Sequence, residues 1–293
     1  MAREVRLVWI VVAALLTVVV VTYARVPAGD LYNVSTGGLG GGFGRAVVEL
    51  NYPVALVALG VLGVTAPLLS RRRRALAVLA ASLCLVVLLP GVVTQSDLDV
   101  RWINAVPAAG VALALALSAR APDPGARYPR GDRLRIGLAV LLVFCAAPWI
   151  AAALGFFLDR VPVLGSIFQT GAIVSYHGNP PHHAVHHGLH HGLDGLILVV
   201  TALSLSRVPN RITLFLALML AYGVADLVND DWLEQIAERG WTTWTVPSSI
   251  EPAANWTWLG VLVATPVIWA LWFRQPRSGT ITVRSNSITT SSC

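Results

Sequence analysis

Six of the seven histidines lie in one stretch, His182-His183-Ala184-Val185-His186-His187-Gly188-Leu189-His190-His191, and Asp194 follows three residues later. Asn179 can cap a helix, Pro180 suits its first position, and after Pro181 no proline recurs until Pro209. These signals predict a helix over 180–206. On it the pairs 182/186, 183/187, 186/190 and 187/191 are i,i+4 neighbours, close enough for two imidazoles to share one ion. At about 100° per residue the six histidines and Asp194 occupy one half of the helix. Ala184, Gly188 and Gly192 mark the other half with the small-xxx-small pattern of close helix contacts. Neutral imidazole suits zinc, copper, iron or nickel, and a carboxylate in the set favours the harder of these ions. The candidate metal ligands are therefore His183, His186, His187, His190, His191 and Asp194.

The elements that must position them belong to a membrane protein. The chain has 293 residues, 56% hydrophobic and only 12% charged, where a soluble domain carries about 25% charged residues. The expected fold is all-α, a polytopic membrane helix bundle of eight transmembrane helices. Its spans lie near 7–24, 53–69, 75–94, 104–119, 135–157, 187–206, 212–229 and 256–273, forming a single domain over 1–273. The Ser/Thr-rich stretch 274–293 is expected to be a disordered cytoplasmic tail. The first apolar run is longer than the hydrophobic region of a signal peptide and reads as a retained anchor. The stretch 25–52 contains Gly37, Gly38, Gly40, Gly41, Gly42 and Gly44. It matches no phosphate-binding pattern and reads as a loop.

All 21 basic residues are arginine. With eight spans, sixteen of them fall on the side of the N-terminus and five on the other. This asymmetry places both termini in the cytoplasm and explains the net charge of +6 without nucleic acid. The seven histidines and twelve of the fifteen acids gather on the outer side or at outer helix ends. Counting about 20 residues back from Ser206, enough to cross the hydrocarbon core, reaches His187. His190, His191 and Asp194 are then embedded, whereas His182 and His183 are solvated. Asp226, near the outer end of the next span, comes to a similar depth and is the expected partner and seventh ligand. Cys84 and Cys145 read as small apolar core residues. Trp102, Trp232, Trp241, Trp244, Trp256 and Trp258 read as an interfacial aromatic belt.

The runs His183-xx-His186-His187 and His187-xx-His190-His191 resemble the HxxHH boxes of membrane desaturases and hydroxylases, which hold two irons. In that family the boxes are separated along the chain and face the cytoplasm, whereas here they overlap in one outward segment. The resemblance covers about ten residues and transfers no catalytic role. The histidine-rich composition is also similar to that of zinc and nickel transporters, without their HxxxxHExxEG helix.

The leading functional expectation is a cell-membrane protein that handles or transports a divalent transition metal, its partners being the ion and the lipid bilayer. One alternative is a metal-dependent enzyme acting on a lipid-like substrate at the outer leaflet. Another is a non-enzymatic subunit or pH sensor whose histidines charge together below about pH 6.5. No catalytic residue stands out by spacing, and the oligomeric state is left open. The arginine asymmetry makes a direct prediction. Reporter fusions after Arg74, Arg130 and Pro276 should read cytoplasmic, and fusions after Gly42 and Thr242 external. A cytoplasmic signal after Thr242 would break the eight-span topology.

Overall fold

A computed structural model describes residues 1–25, 35–92, 99–126, 132–147, 150–151, 161–162, 169–174, 182–185, 191–237, 240–249 and 254–274. These residues are mainly helical. α1 is Arg3–Arg25. α2, Gly38–Glu49, leads through the turn 50–52 into α3, Pro53–Thr65, which a 3-10 turn extends to Leu68. α4 is Arg71–Leu85, α5 Ala105–Ser118 and α6 Asp132–Cys145. β1, Gln169–Val174, pairs antiparallel with β2, His182–Val185. α7 is His191–Leu205, α8 Thr213–Trp232 and α9 Trp256–Ile268, which continues through a π turn to Phe273.

Three helices are long and apolar enough to cross a membrane: Arg3–Arg25, Thr213–Trp232 and Trp256–Phe273. Gly38–Glu49 and Pro53–Leu68 together make a fourth candidate, bent by 44°. Trp102–Ser118 and Gly192–Leu205 are apolar but shorter. α8 is the enclosed helix, with 61% of its apolar window buried against 17% for Trp256–Phe273. It packs on α7 along most of its length and on α9 behind. α1 and α3 close the other side of α7, and α4 with α5 completes the bundle beyond α3. Ile10, Leu79, Phe144 and Leu262 remain exposed on the outside, an apolar surface of the kind a bilayer covers.

The α7–α8 crossing rests on two glycines. A Cβ on Gly195 would lie 2.5 Å from the Gly223 carbonyl oxygen, and one on Gly223 would lie 2.6 Å from the Gly195 carbonyl oxygen. Neither position admits a side chain without separating the helices, so the contact is the close small-residue approach that membrane helices favour.

Two sequence expectations are corrected. The glycine-rich stretch is not a loop from 25 to 52, because α2 occupies Gly38–Glu49. A Cβ on Gly42 would lie 2.5 Å from the Val20 carbonyl oxygen of α1. Here glycine serves close helix packing, a use that composition does not separate from a turn. The break after α2 is held by buried amides: Asn104 Nδ2 donates to Asn51 Oδ1 at 3.0 Å, and Asn51 Nδ2 donates to the Asn104 carbonyl at 2.9 Å.

The histidine helix is the second correction. It is not continuous from 180, since α7 begins at His191 and His182–Val185 is strand. Val174 faces His182 and Ile173 faces His183 across the pair. Backbone pairing with β1 satisfies the groups that a helix would have satisfied internally, and histidine is a weak helix former. His182 and His183 therefore have a strand backbone, and the i,i+4 scheme of a helix does not apply to them. His186, His187 and His190 lie outside the described residues, as does the tail 275–293.

The crossing predicts a sharp contrast between glycines. Gly223→Ala should destabilise the fold by about 1–3 kcal/mol through overpacking. Gly260→Ala, with nothing within 4 Å of the added Cβ, should leave the melting temperature unchanged or slightly raised. Thermal unfolding of the two purified variants in one detergent measures the difference.

Candidate functional site

The Gly195–Gly223 contact brings the first turn of α7 against the C-terminal half of α8. Asp194 lies in that first turn, where the exposed N–H groups and the helix dipole favour a negative charge. A Cβ on Gly195 would be 3.1 Å from Asp226 Cβ, which shows how near Asp226 stands. Asp226 acts electrostatically on Asp194. One turn further along α8, Asp230 Oδ2 accepts a hydrogen bond from the Gly192 N–H at 2.9 Å. Asp230 thus caps α7 from outside, satisfying an N–H that the helix itself cannot.

A third helix adds a carboxyl. Glu49, at the end of α2, is within hydrogen-bonding reach of Asp194 and forms an i,i+4 ion pair with Arg45, with Nη2 to Oε1 at 2.6 Å. The Arg45 guanidinium also lies over the Tyr23 ring of α1, 5.6 Å from its centroid. All these groups are buried: Glu49 is 2% exposed, Asp226 0% and Asp194 7%.

The chain after α8 closes the site. Ser249 Oγ, fully buried, donates to Asp226 Oδ1 at 2.7 Å. Asn229 Nδ2 holds the carbonyls of Val246 and Pro247 at 2.9 and 3.1 Å, and Thr257 Oγ1 donates to the Pro247 carbonyl at 2.6 Å. Asn255 Nδ2 donates to the Ser248 carbonyl at 3.0 Å, while its Oδ1 caps α9 through the Trp258 N–H at 2.9 Å. Behind Asp226, Tyr222 stacks on Trp258 with ring centroids 5.2 Å apart.

Three carboxyl oxygens have no hydrogen-bond donor among the described residues: Glu49 Oε2, Asp194 Oδ1 and Asp226 Oδ2. Ionised, Glu49, Asp194 and Asp226 carry three negative charges against the single positive charge of Arg45. Such an excess is unfavourable in a buried site unless a proton or a cation joins it.

Of the expected ligands, the structure brings Asp194 and Asp226 together. It places His191 at the first position of α7 and His183 in β2. His186, His187 and His190 are outside the described residues. Among the described residues no group of three His, Cys, Asp or Glu side chains converges closely enough to hold an ion unaided. Asp99, which could have shared this depth, instead accepts bonds from the Ser35 N–H at 3.1 and 3.2 Å and from its hydroxyl.

Sequence reading missed Arg45, Glu49, Asp230 and Ser249 as parts of the site. Arg45-xxx-Glu49, opposite charges one turn apart among apolar and small residues, is the signal that could have found the first two. Comparison with family models, curated proteins and solved structures finds no match to this chain.

The arrangement predicts a coupled pair. Arg45→Gln should cost about 3–5 kcal/mol, because it strands a buried carboxylate. Adding Glu49→Gln should recover much of that loss. A double-mutant cycle on thermal stability reads the coupling, and simple additivity would deny Arg45 its role as counter-ion.

Proposed function

We propose that the chain is a multi-pass membrane protein that handles a divalent transition metal at the acid site of α2, α7 and α8, beneath the histidine tract. Three helices, or four with α2–α3 as one bent span, are long and apolar enough to cross; the reading takes α4, α5, α6 and α7 as the remaining spans, with both termini cytoplasmic as the arginine asymmetry requires. The observation that carries the reading is the set of three buried carboxyl oxygens that have no donor among the described residues, near the Arg45 guanidinium. A cation supplies the missing charge and the missing partner together. Carboxylate oxygens with one or more imidazoles from the tract suit zinc or iron. Supplying two helices with a common ligand would also strengthen the α7–α8 contact.

The enzyme reading gains nothing from these contacts. The Ser249 hydroxyl is buried and donates to Asp226 rather than to a base. A proton is the competitor, since two facing carboxyls can share one.

The test is elemental analysis of the full chain purified without a histidine tag. The wild type should carry a stoichiometric transition metal, which Asp194→Asn, Asp226→Asn and Glu49→Gln should each abolish or strongly reduce. His190→Ala and His191→Ala should lower it more than His182→Ala and His183→Ala. A metal-free wild type whose stability rises with Asp226→Asn would show that protons neutralise the acids, and the metal reading would fall.

A further inference from the structure

At the far end of α7, α6 packs on α7 and, with Leu7 of α1, leaves a groove of about 320 Å³, within the range of small-molecule sites. Its long walls are apolar: Leu7, Val140, Val143, Val200 and Leu203. Val140 and Val143 are exposed, so the groove opens sideways along the bundle rather than into its interior. Between Arg135 and Val143 the walls run about 12 Å along α6, less than the roughly 15 Å hydrocarbon depth of one leaflet.

One end is polar and carries charge. Arg207 holds Asp132 through two bonds, Nε to Oδ1 and Nη2 to Oδ2, both 3.0 Å. Arg135 is buried, and its bonds go to neutral acceptors: Nη1 donates to Ser206 Oγ at 2.6 Å and Nη2 to the Trp272 carbonyl. Its face lies over Phe273, 5.0 Å from the ring centroid, and its Nε has no acceptor among the described residues. With Arg207 and Asp132 paired, the charged residues that line the groove sum to one net positive charge. It also adjoins the first turn of α6, whose dipole favours an anion.

We propose that this groove binds one anionic phospholipid, its acyl chain along Val140, Val143 and Leu203 and its phosphate at Arg135. The lateral opening admits a ligand from the bilayer, and the net charge selects an acidic headgroup over a zwitterionic one. The proposal rests on the membrane reading above.

The experiment follows the thermal unfolding of the purified full chain in detergent with added phosphatidylglycerol, phosphatidylcholine or oleate. Phosphatidylglycerol should raise the melting temperature by about 3 °C or more, phosphatidylcholine much less. Arg135→Gln should remove the difference between the two lipids. Val140→Trp, which fills the groove from an exposed position and spares the buried arginine, should do the same and decides the matter if Arg135→Gln fails to fold. Equal shifts from both lipids, or a preference that survives Val140→Trp, would overturn the proposal. So would an equal shift from oleate, which would put a free fatty acid in the groove. Release of the chain from membranes by alkaline carbonate would defeat the membrane reading itself. Retention with no preference for phosphatidylglycerol would defeat the lipid site alone.

Discussion

Gly195 and Gly223 meet backbone to backbone, and the geometry of the site depends on that contact. Because each lacks a Cβ, α7 and α8 approach until the carbonyl of one lies where a methyl of the other would be. The approach sets Asp194 against Asp226 and brings the Gly192 N–H onto Asp230. A larger residue at either position would disturb these contacts together. A packing constraint thus organises an electrostatic feature several residues away.

Charge is concentrated in this bundle rather than spread through it. Glu49, Asp194, Asp226 and Asp230 converge from three helices, with Arg45 on the α2 side and the positive end of α7 on the other. Asp230 finds its partner in the helix N-terminus, and Glu49 one of its own in Arg45. Among the described residues, Asp194 and Asp226 each keep an oxygen without a donor. At the other end of α7 the imbalance has the opposite sign and is smaller, with Arg135 left over once Arg207 and Asp132 pair.

Much of the bundle could be read from apolar run length. The first run, the span opened by Pro53 and the last two long helices were recognisable because hydropathy alone specifies them. The proximity of Asp194 and Asp226 followed from counting residues to a common depth, which needs only helical rise and bilayer thickness. Two features were not readable. Glycine can terminate a helix or let it approach another, and only the presence of α1 opposite Gly42 decides between these uses. The tract from Asn179 carries good local start signals, but β1 offers its backbone a partner thirteen residues upstream of His182, counted from Gln169. Local signals do not register a distant strand.

The i,i+4 pairing of Arg45 with Glu49 bears on how the chain is made. Isolated in a bilayer, either side chain would cost α2 a few kcal/mol on insertion, and the glycines of this helix contribute little to offset it. Paired one turn apart, the two charges form a neutral unit within α2 itself, independent of α7 and α8. Tyr23 of α1, already synthesised, supplies the aromatic face that covers the guanidinium. The acid that meets α7 thus brings its counter-ion on its own helix, and the cover for that counter-ion comes from the helix just before it.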